Sequence, residues 1–324
     1  MEPIILPRIS DKKPLVSVVS ITYNHEPYIR DCLEGFLMQK TNFPIEIIIH
    51  DDASTDHTAD ILREYYEKRP DLFHIIIEQK NINSQGRSSL LETMQRAKGK
   101  YIAICEGDDY WTDPLKLQKQ FEFLEVNYKY SLCFHKVEEK MEIYTKNHLR
   151  QKSGTVRDKD IYPVWTIPTC SVLIRKEVTK EYESIRKKYQ GLYCGDIVLF
   201  LLAAKIGLLY GLPQKMGVYR RNSGGLTQTS RNMHNLRGIL AHQKAIKKAF
   251  PNLKEQANTF IVFSYYRSII QDPQNRKKYI NCIKMYAIKY HFLAIIFELK
   301  NLANKLSFKL QSKKDMLQFN KKTN

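Results

Sequence analysis

The chain has 324 residues and 43% hydrophobic content, enough to bury a sizeable core in roughly one to three domains. Charged residues make up 27%, an ordinary globular balance that excludes a wholly disordered chain. The net charge of +18 is uneven, because residues 276–324 hold twelve Lys/Arg against Glu298 and Asp315, a local net of +10.

Residues 1–14 carry no apolar run of signal-peptide length and are broken by prolines. Residues 15–21 (L-V-S-V-V-S-I) are a β-branched run of strand length, ending in Thr22-Tyr23-Asn24. From His25 a helix is predicted, with Ile29, Cys32, Leu33, Phe36 and Leu37 at helical spacing. Residues 45–50 read as a second buried strand, ending in Asp51-Asp52-Ala53-Ser54-Thr55-Asp56. Ser54 and Thr55 suit the N-cap of a helix carrying Ala59, Leu62, Tyr65 and Tyr66. Residues 73–78 are a third strand. A polar loop follows, then a helix through Leu90, Met94 and Ala97 that Gly99 stops.

Residues 101–105 (Y-I-A-I-C) are a fourth buried strand, ended abruptly by Glu106-Gly107-Asp108-Asp109. Asp113-Pro114 then supplies an N-cap and a proline at the first helical position. Three carboxylates thus gather at a strand's carboxyl end, where open α/β sheets bind ligands. Crowded carboxylates repel one another unless a cation sits among them, and hard oxygen ligands suit Mg²⁺ or Mn²⁺. Taken alone, the same residues also read as an acidic solvated turn.

Past Asp113 a helix runs through Leu117, Phe121 and Leu124, and residues 130–138 alternate like a strand. Residues 165–174 enter another strand, residues 176–189 form a surface helix, and Gly195-Asp196 opens an apolar helix that Gly207 ends. Residues 216–221 are a short strand leading into Asn222-Ser223-Gly224-Gly225. From Ser230 only helical repeats remain. The expected organisation is an α/β domain over 1–225, halved at 113/114, followed by a basic helical region over 226–324. Its sheet is mostly parallel, because short, continuously apolar strands alternate with amphipathic helices. Thr22-Tyr23-Asn24, Asp51-Asp52 and 106–109 each follow a strand, so all three line one sheet edge.

The six cysteines are scattered without metal-ligand spacing and read as reduced thiols of a cytosolic protein. The longest apolar run, 197–212, is interrupted by Lys205 and too short to span a bilayer. There is no G-x-G-x-x-G, P-loop, H-E-x-x-H or G-x-S-x-G motif.

The motifs V-S-V-V-S-I-T-Y-N (16–24), I-I-H-D-D-A-S-T-D (48–56), G-K-Y-I-A-I-C-E-G-D-D (99–109) and the following W-x-D-P-x-K-L resemble the family 2 glycosyltransferases. The resemblance covers residues 15 to 225 and implies the GT-A fold, a Rossmann-like sheet flanked by helices. It further implies inverting transfer of a sugar from a nucleoside diphosphate, with UDP the expected carrier, to an acceptor hydroxyl. By position, Thr22, Tyr23, Asp52 and Asp108 would hold the donor nucleotide, and Asp51 would support its loop. Asp108 and Asp109 match the metal-binding region for Mn²⁺ or Mg²⁺, with Glu106 standing where an aspartate is usual and reaching the metal through water. Asp196 matches the catalytic base. Arg220, Arg221 and Asn222 resemble the loop over the diphosphate, where a histidine often stands at the position of Asn222. Trp111, Trp165 and Thr169 are candidates for the sugar and acceptor pockets.

A surface polysaccharide or glycan, built on a polyprenyl-linked acceptor, is the acceptor class that the resemblance implies. The basic, amphipathic end, with Phe292, Leu293, Ile296 and Phe297 near Lys289, Lys300 and Lys305, reads either as packed helices or as a peripheral contact with the anionic inner membrane face. Nucleic acid is not expected, since no recognition motif accompanies the charge. Two other classes compete. A sugar nucleotidyltransferase would carry a Gly-rich basic loop after its first strand, where this chain has Thr22-Tyr23-Asn24-His25-Glu26. A degenerate binding scaffold is opposed by the presence of Asp108, Asp109 and Asp196.

Overall fold

The computed structural model describes residues 2–140, 145–147, 151–163, 166–222, 236–271, 273–275 and 277–282. The chain forms two compact units, residues 1–190 with 194–228, and residues 191–193 with 229–324.

The first unit is built on one sheet. Its strands are β1 (Ile4–Leu6), β2 (Val16–Thr22), β3 (Ile45–Asp51), β4 (Phe73–Ile77), β5 (Tyr101–Ile104) and β6 (Tyr110–Trp111). They continue with β7 (Tyr130–Lys140), β8 (Thr145–Asn147), β9 (Gly154–Val156), β10 (Leu173–Arg175) and β11 (Leu208–Arg220). The helices are α1 (Ile29–Leu37), α2 (Thr58–Lys68), α3 (Ser89–Arg96), α4 (Lys116–Val126), α5 (Asp158–Ile161), α6 (Glu177–Lys188) and α7 (Gly195–Ile206).

The order across the sheet is β1-β4-β3-β2-β5-β10-β7-β11-β6. Its heart is the parallel run β4-β3-β2-β5, with β7 and β11 also parallel and antiparallel strands filling the rest. Strands β2, β3 and β5 are buried along nearly their whole length, which is why they read as largely apolar runs, with Ser17, Glu46 and His50 among the buried polar exceptions. Val16, Val18, Ile47, Ile49, Tyr101 and Ala103 pack against Ile29, Leu33 and Phe36 of α1 in one core. Each fully buried Val or Ile there stabilises the fold by about 1.5–3 kcal/mol.

Helix α3 is capped by Ser88, whose side chain accepts the N–H of Leu91. It ends at Arg96, before the stop expected at Gly99. Gly99 answers a different need: a Cβ there would stand 2.6 Å from the backbone nitrogen of Ser17 on β2. Helix α1 begins at Ile29 after a turn, and α4 begins at Lys116. Asp113 still caps α4 from outside, accepting Leu115 N at 2.8 Å and Lys119 Nζ at 2.6 Å.

In the second unit, α8 (Leu236–Ala249) packs on α9 (Lys254–Gln271) through Ile246, Phe250, Leu253, Ala257 and Ile261. Residues 283–324, with most of the basic segment considered for a membrane, lie outside the described residues. Among the described residues no helix is long and apolar enough to cross a membrane.

Candidate active site

Because β3, β2 and β5 are parallel neighbours, the segments that follow them emerge side by side. The first two are laced together. Asn24 N donates to Ser54 Oγ, Thr55 N donates to Asn24 Oδ1, His25 N donates to Thr58 Oγ1, and Glu26 N donates to Asp56 Oδ2. Asn24 and Ala53 sit at φ 54° and 63°, left-handed values that asparagine tolerates and alanine resists. The cross-loop bonds hold both in place.

Asp52 is buried and its carboxylate is engaged. Oδ1 accepts Ile82 N at 2.6 Å, and Oδ2 accepts Asn83 N at 3.2 Å and Asn83 Nδ2 at 2.6 Å. This residue therefore shapes the loop beyond β4 as well as the edge beside Tyr23, which is 45% exposed. Thr22 is buried, its carbonyl accepting Asp52 N at 2.9 Å. Asp51 accepts both the N–H and the hydroxyl of Ser54, and burial pushes its carboxyl up to about 6.

The acidic turn after β5 separates its carboxylates by environment. Glu106 is partly buried; burial, then the charges of Asp108 and Asp196, push its carboxyl up to about 8, while the Thr169 side chain hydrogen-bonds to it. Asp196 lies in the first turn of α7, so the charge of a residue 90 positions along the chain acts on the same acidic group. Asp108 is the open member, its side chain 17% exposed, with Oδ2 accepting Asn222 Nδ2 at 2.8 Å and standing 3.9 Å from His25 Nε2. Asp109 is only 1% exposed. Its Oδ1 accepts Arg220 N at 2.7 Å, the Cys170 thiol lies beside the carboxylate, and Oδ2 is buried without a partner among the described residues. Burial, then Asp108 and Glu106, raise its carboxyl well above the usual range.

The two adjacent aspartates are thus not equivalent. The sequence pairs Asp108 with Asp109 as metal ligands; the structure leaves Asp108 facing outward and commits one Asp109 oxygen to β11. Among the described residues no three His, Cys, Asp or Glu side chains form a ready-made metal cage. A divalent ion shared with substrate phosphates needs only one or two protein carboxylates. Crowded Glu106 and Asp108 suit that demand, and the orphaned Asp109 oxygen marks the same turn as short of positive charge.

Other candidates fall differently. Trp111 is a core residue, not a pocket wall: Nε1 donates to Cys170 O at 2.7 Å, and the ring packs edge-on against Phe36 and under Lys116 Nζ at 3.8 Å. Trp165 and 223–225 lie outside the described residues. Arg220 pairs with Asp31 and Arg221 with Glu139, so each guanidinium already holds a protein carboxylate. Sequence reasoning passed over His25 and Gly107. A Cβ at Gly107 would meet Thr22 Oγ1 at 2.8 Å and His25 Nδ1 at 3.0 Å, so glycine lets the acidic turn lie close on the first loop without displacing those side chains. The signal for His25 was its place directly after Thr22-Tyr23-Asn24.

The Glycosyl transferase family 2 profile matches residues 17–183, just over half of the chain. The chain is 39% identical over 214 residues to an uncharacterized Mycobacterium tuberculosis protein, Rv1520, covering 65% of this chain and 60% of that relative. The putative teichuronic acid biosynthesis glycosyltransferase TuaG of Bacillus subtilis is 32% identical over 222 residues, covering 64% of this chain and 79% of TuaG. Among solved structures, S. aureus TarS in complex with UDP-GlcNAc superposes with a TM-score of 0.62 at 16% identity, covering 84% and 80% of the two chains. The mannosyltransferase PcManGT of Pyrobaculum calidifontis, in complex with GDP-Man and Mn²⁺, superposes at 0.50 with 17% identity, covering 93% and 84%. The fold is therefore GT-A, and the chain belongs to glycosyl transferase family 2.

Proposed function

We propose that the protein is an inverting glycosyltransferase that moves a sugar from a nucleoside diphosphate, with UDP the favoured carrier, onto a hydroxyl of a growing polysaccharide. The observation that carries this reading is that the charge of Asp196, in the first turn of α7, acts on Glu106 in the acidic turn after β5. Inversion needs a base on one side of the sugar and a stabilised leaving group on the other. Two acidic centres from distant parts of the chain would divide those roles.

Tyr23, the Thr22 segment and Asp52 would seat the nucleoside on the β2 and β3 loops. Asp108 with Glu106 would hold the divalent ion, which when bound offsets negative charge on the departing diphosphate. Asp196 takes the proton from the acceptor hydroxyl as its oxygen bonds to the anomeric carbon. The sugar–phosphate bond breaks in the same step, and the nucleoside diphosphate leaves with its electron pair. Thr169, whose side chain acts on Glu106, would lie by the sugar. The polysaccharide assignment is supported by the likeness to TuaG, and the metal by the Mn²⁺ in PcManGT. A polyprenyl-linked acceptor and a peripheral place at the membrane extend this reading.

The test is nucleoside diphosphate release from a panel of UDP- and GDP-sugars with Mn²⁺ or Mg²⁺. Asp196→Asn is expected to lower kcat by about 10²–10⁴-fold while donor binding persists. Parental turnover in Asp196→Asn and Asp108→Asn alike would end the proposal.

A further inference from the structure

Arg220 closes β11 and is committed on every side. Its backbone N–H donates to Asp109 Oδ1 at 2.7 Å, Nη1 donates to the carbonyl of Asp108 at 2.9 Å, and Nη2 pairs with Asp31 of α1. The guanidinium carbon lies 4.3 Å from the Tyr110 ring centroid and 5.3 Å from that of Tyr28. The residue is 8% exposed, so a phosphate could reach the guanidinium only by displacing one of these partners. A planar fork can serve two acceptors at fixed angles while stacked on a ring; an ammonium group cannot.

The consequence is local. Antiparallel pairing of Val218 with Tyr110 brings the end of β11 beside the turn that precedes β6. There Arg220 holds the carbonyl of Asp108 and one carboxylate oxygen of Asp109 at once. The Asp108 backbone can no longer rotate freely, and its side chain leaves the turn toward Asn222 and His25.

Building on the glycosyltransferase reading, we propose that Arg220 is a positioning residue: oriented by Asp31, it locks the Asp108–Asp109 turn so that Asp108 meets the metal–diphosphate of the donor. Its role is to hold the carboxylate, not to grip the phosphate. A general scaffold would serve all ligands alike. A positioning role weakens only binding that uses the metal and diphosphate, because the nucleoside rests on the β2 and β3 loops.

Titration calorimetry of the full chain with uridine, UDP and GDP, with and without Mn²⁺, tests this. Arg220→Lys is expected to weaken UDP–Mn²⁺ binding by about tenfold and to leave uridine within about twofold. Asp31, with its side chain 59% exposed, can be changed without disturbing the core, and Asp31→Asn is expected to weaken UDP–Mn²⁺ by about threefold. The double variant is expected to be no weaker than Arg220→Lys, because Asp31 acts only through Arg220. Variants that match the parent, or that lose uridine and UDP–Mn²⁺ in equal proportion, overturn the role of Arg220 alone. A parent that binds neither UDP nor GDP with Mn²⁺ overturns the glycosyltransferase reading beneath it. Should Arg220→Lys fail to fold, parental UDP–Mn²⁺ affinity in Asp31→Asn overturns the proposal, and the threefold loss supports it.

Discussion

Asn222 Nδ2 donates to Asp108 Oδ2 over 2.8 Å, tying the residue after β11 to the turn after β5 across 114 positions of sequence. A hydrogen bond to a charged group contributes about 1.5–3 kcal/mol. Asn222→Leu keeps the volume and removes the donor. It is expected to lower kcat/KM about tenfold or more. Steady-state kinetics with the best donor of the panel check this, and unchanged kcat/KM would remove Asn222 from the site.

Gly107 is required by proximity rather than by backbone conformation. An added methyl would lie 2.8 Å from Thr22 Oγ1, 3.0 Å from His25 Nδ1 and 3.0 Å from Ile29 Cδ1. Gly107→Ala must displace these packed side chains or the turn itself, and a shift of the turn is expected to carry Asp108 with it. Displacing a catalytic group by about 1 Å costs on the order of 10²-fold, with only a modest change in Tm. Activity at the parental level with an unchanged Tm would show that the turn has slack.

The raised carboxyl of Glu106 makes the metal-free protein sensitive to alkali. Its folded value is about 8 against an ordinary 4.5. Between those values the folded state keeps a proton that the unfolded chain has lost, so stability is present at low pH and falls as pH rises through the window. Glu106→Gln removes this dependence. In chelator, Tm of the parent is expected to fall more than that of the variant between pH ~5 and ~8, by on the order of 5 °C. Parallel Tm curves would refute it.

Lys116 titrates in the opposite direction from the same cause. Its ammonium is fully buried over Trp111 among Cys105, Cys170 and Cys133, with its Nζ 3.5 Å from Val172 O. Burial lowers its pKa to about 7 from 10.5, and burial followed by the Lys116 charge pushes nearby His135 down to about 3. From about 7 to 10.5 the unfolded chain binds the proton that the folded lysine lacks, so this residue's contribution to stability improves as pH rises. Lys116→Met fills a similar volume without a charge to desolvate. The variant is expected to be more stable than the parent, by roughly 1–3 kcal/mol near neutral pH, with the gap closing toward alkaline pH. Urea midpoints across pH measure it, and a destabilised variant at every pH would contradict the argument.

The parallel heart of the sheet was legible because its cause is local. Strands buried on both faces are mostly apolar, and β2, β3, β4 and β5 fall within a residue or two of the runs expected. Edge elements were not. Strand β1 is three residues between Pro3 and Pro7, half exposed and paired with Ile75–Ile77. Strand β11 was expected from Met216, since Pro213-Gln214-Lys215 reads as a break. The sheet absorbs that break as a register shift between Leu212 and Lys215, and the strand runs from Leu208. Trp111 looked like a pocket residue because composition does not tell which side of a two-residue strand faces the core.

The sequence by itself determined that three polar segments would stand on one edge of a parallel sheet, since strand period and helix caps are set by near neighbours. It could not distinguish Asp108 from Asp109, which share a turn and a chemistry. That choice belongs to residues far along the chain: Arg220 and Cys170 enclose one carboxylate, and Asn222 meets the other at the surface. Burial and charge pairing are properties of space, and only the folded sheet brings those residues within reach.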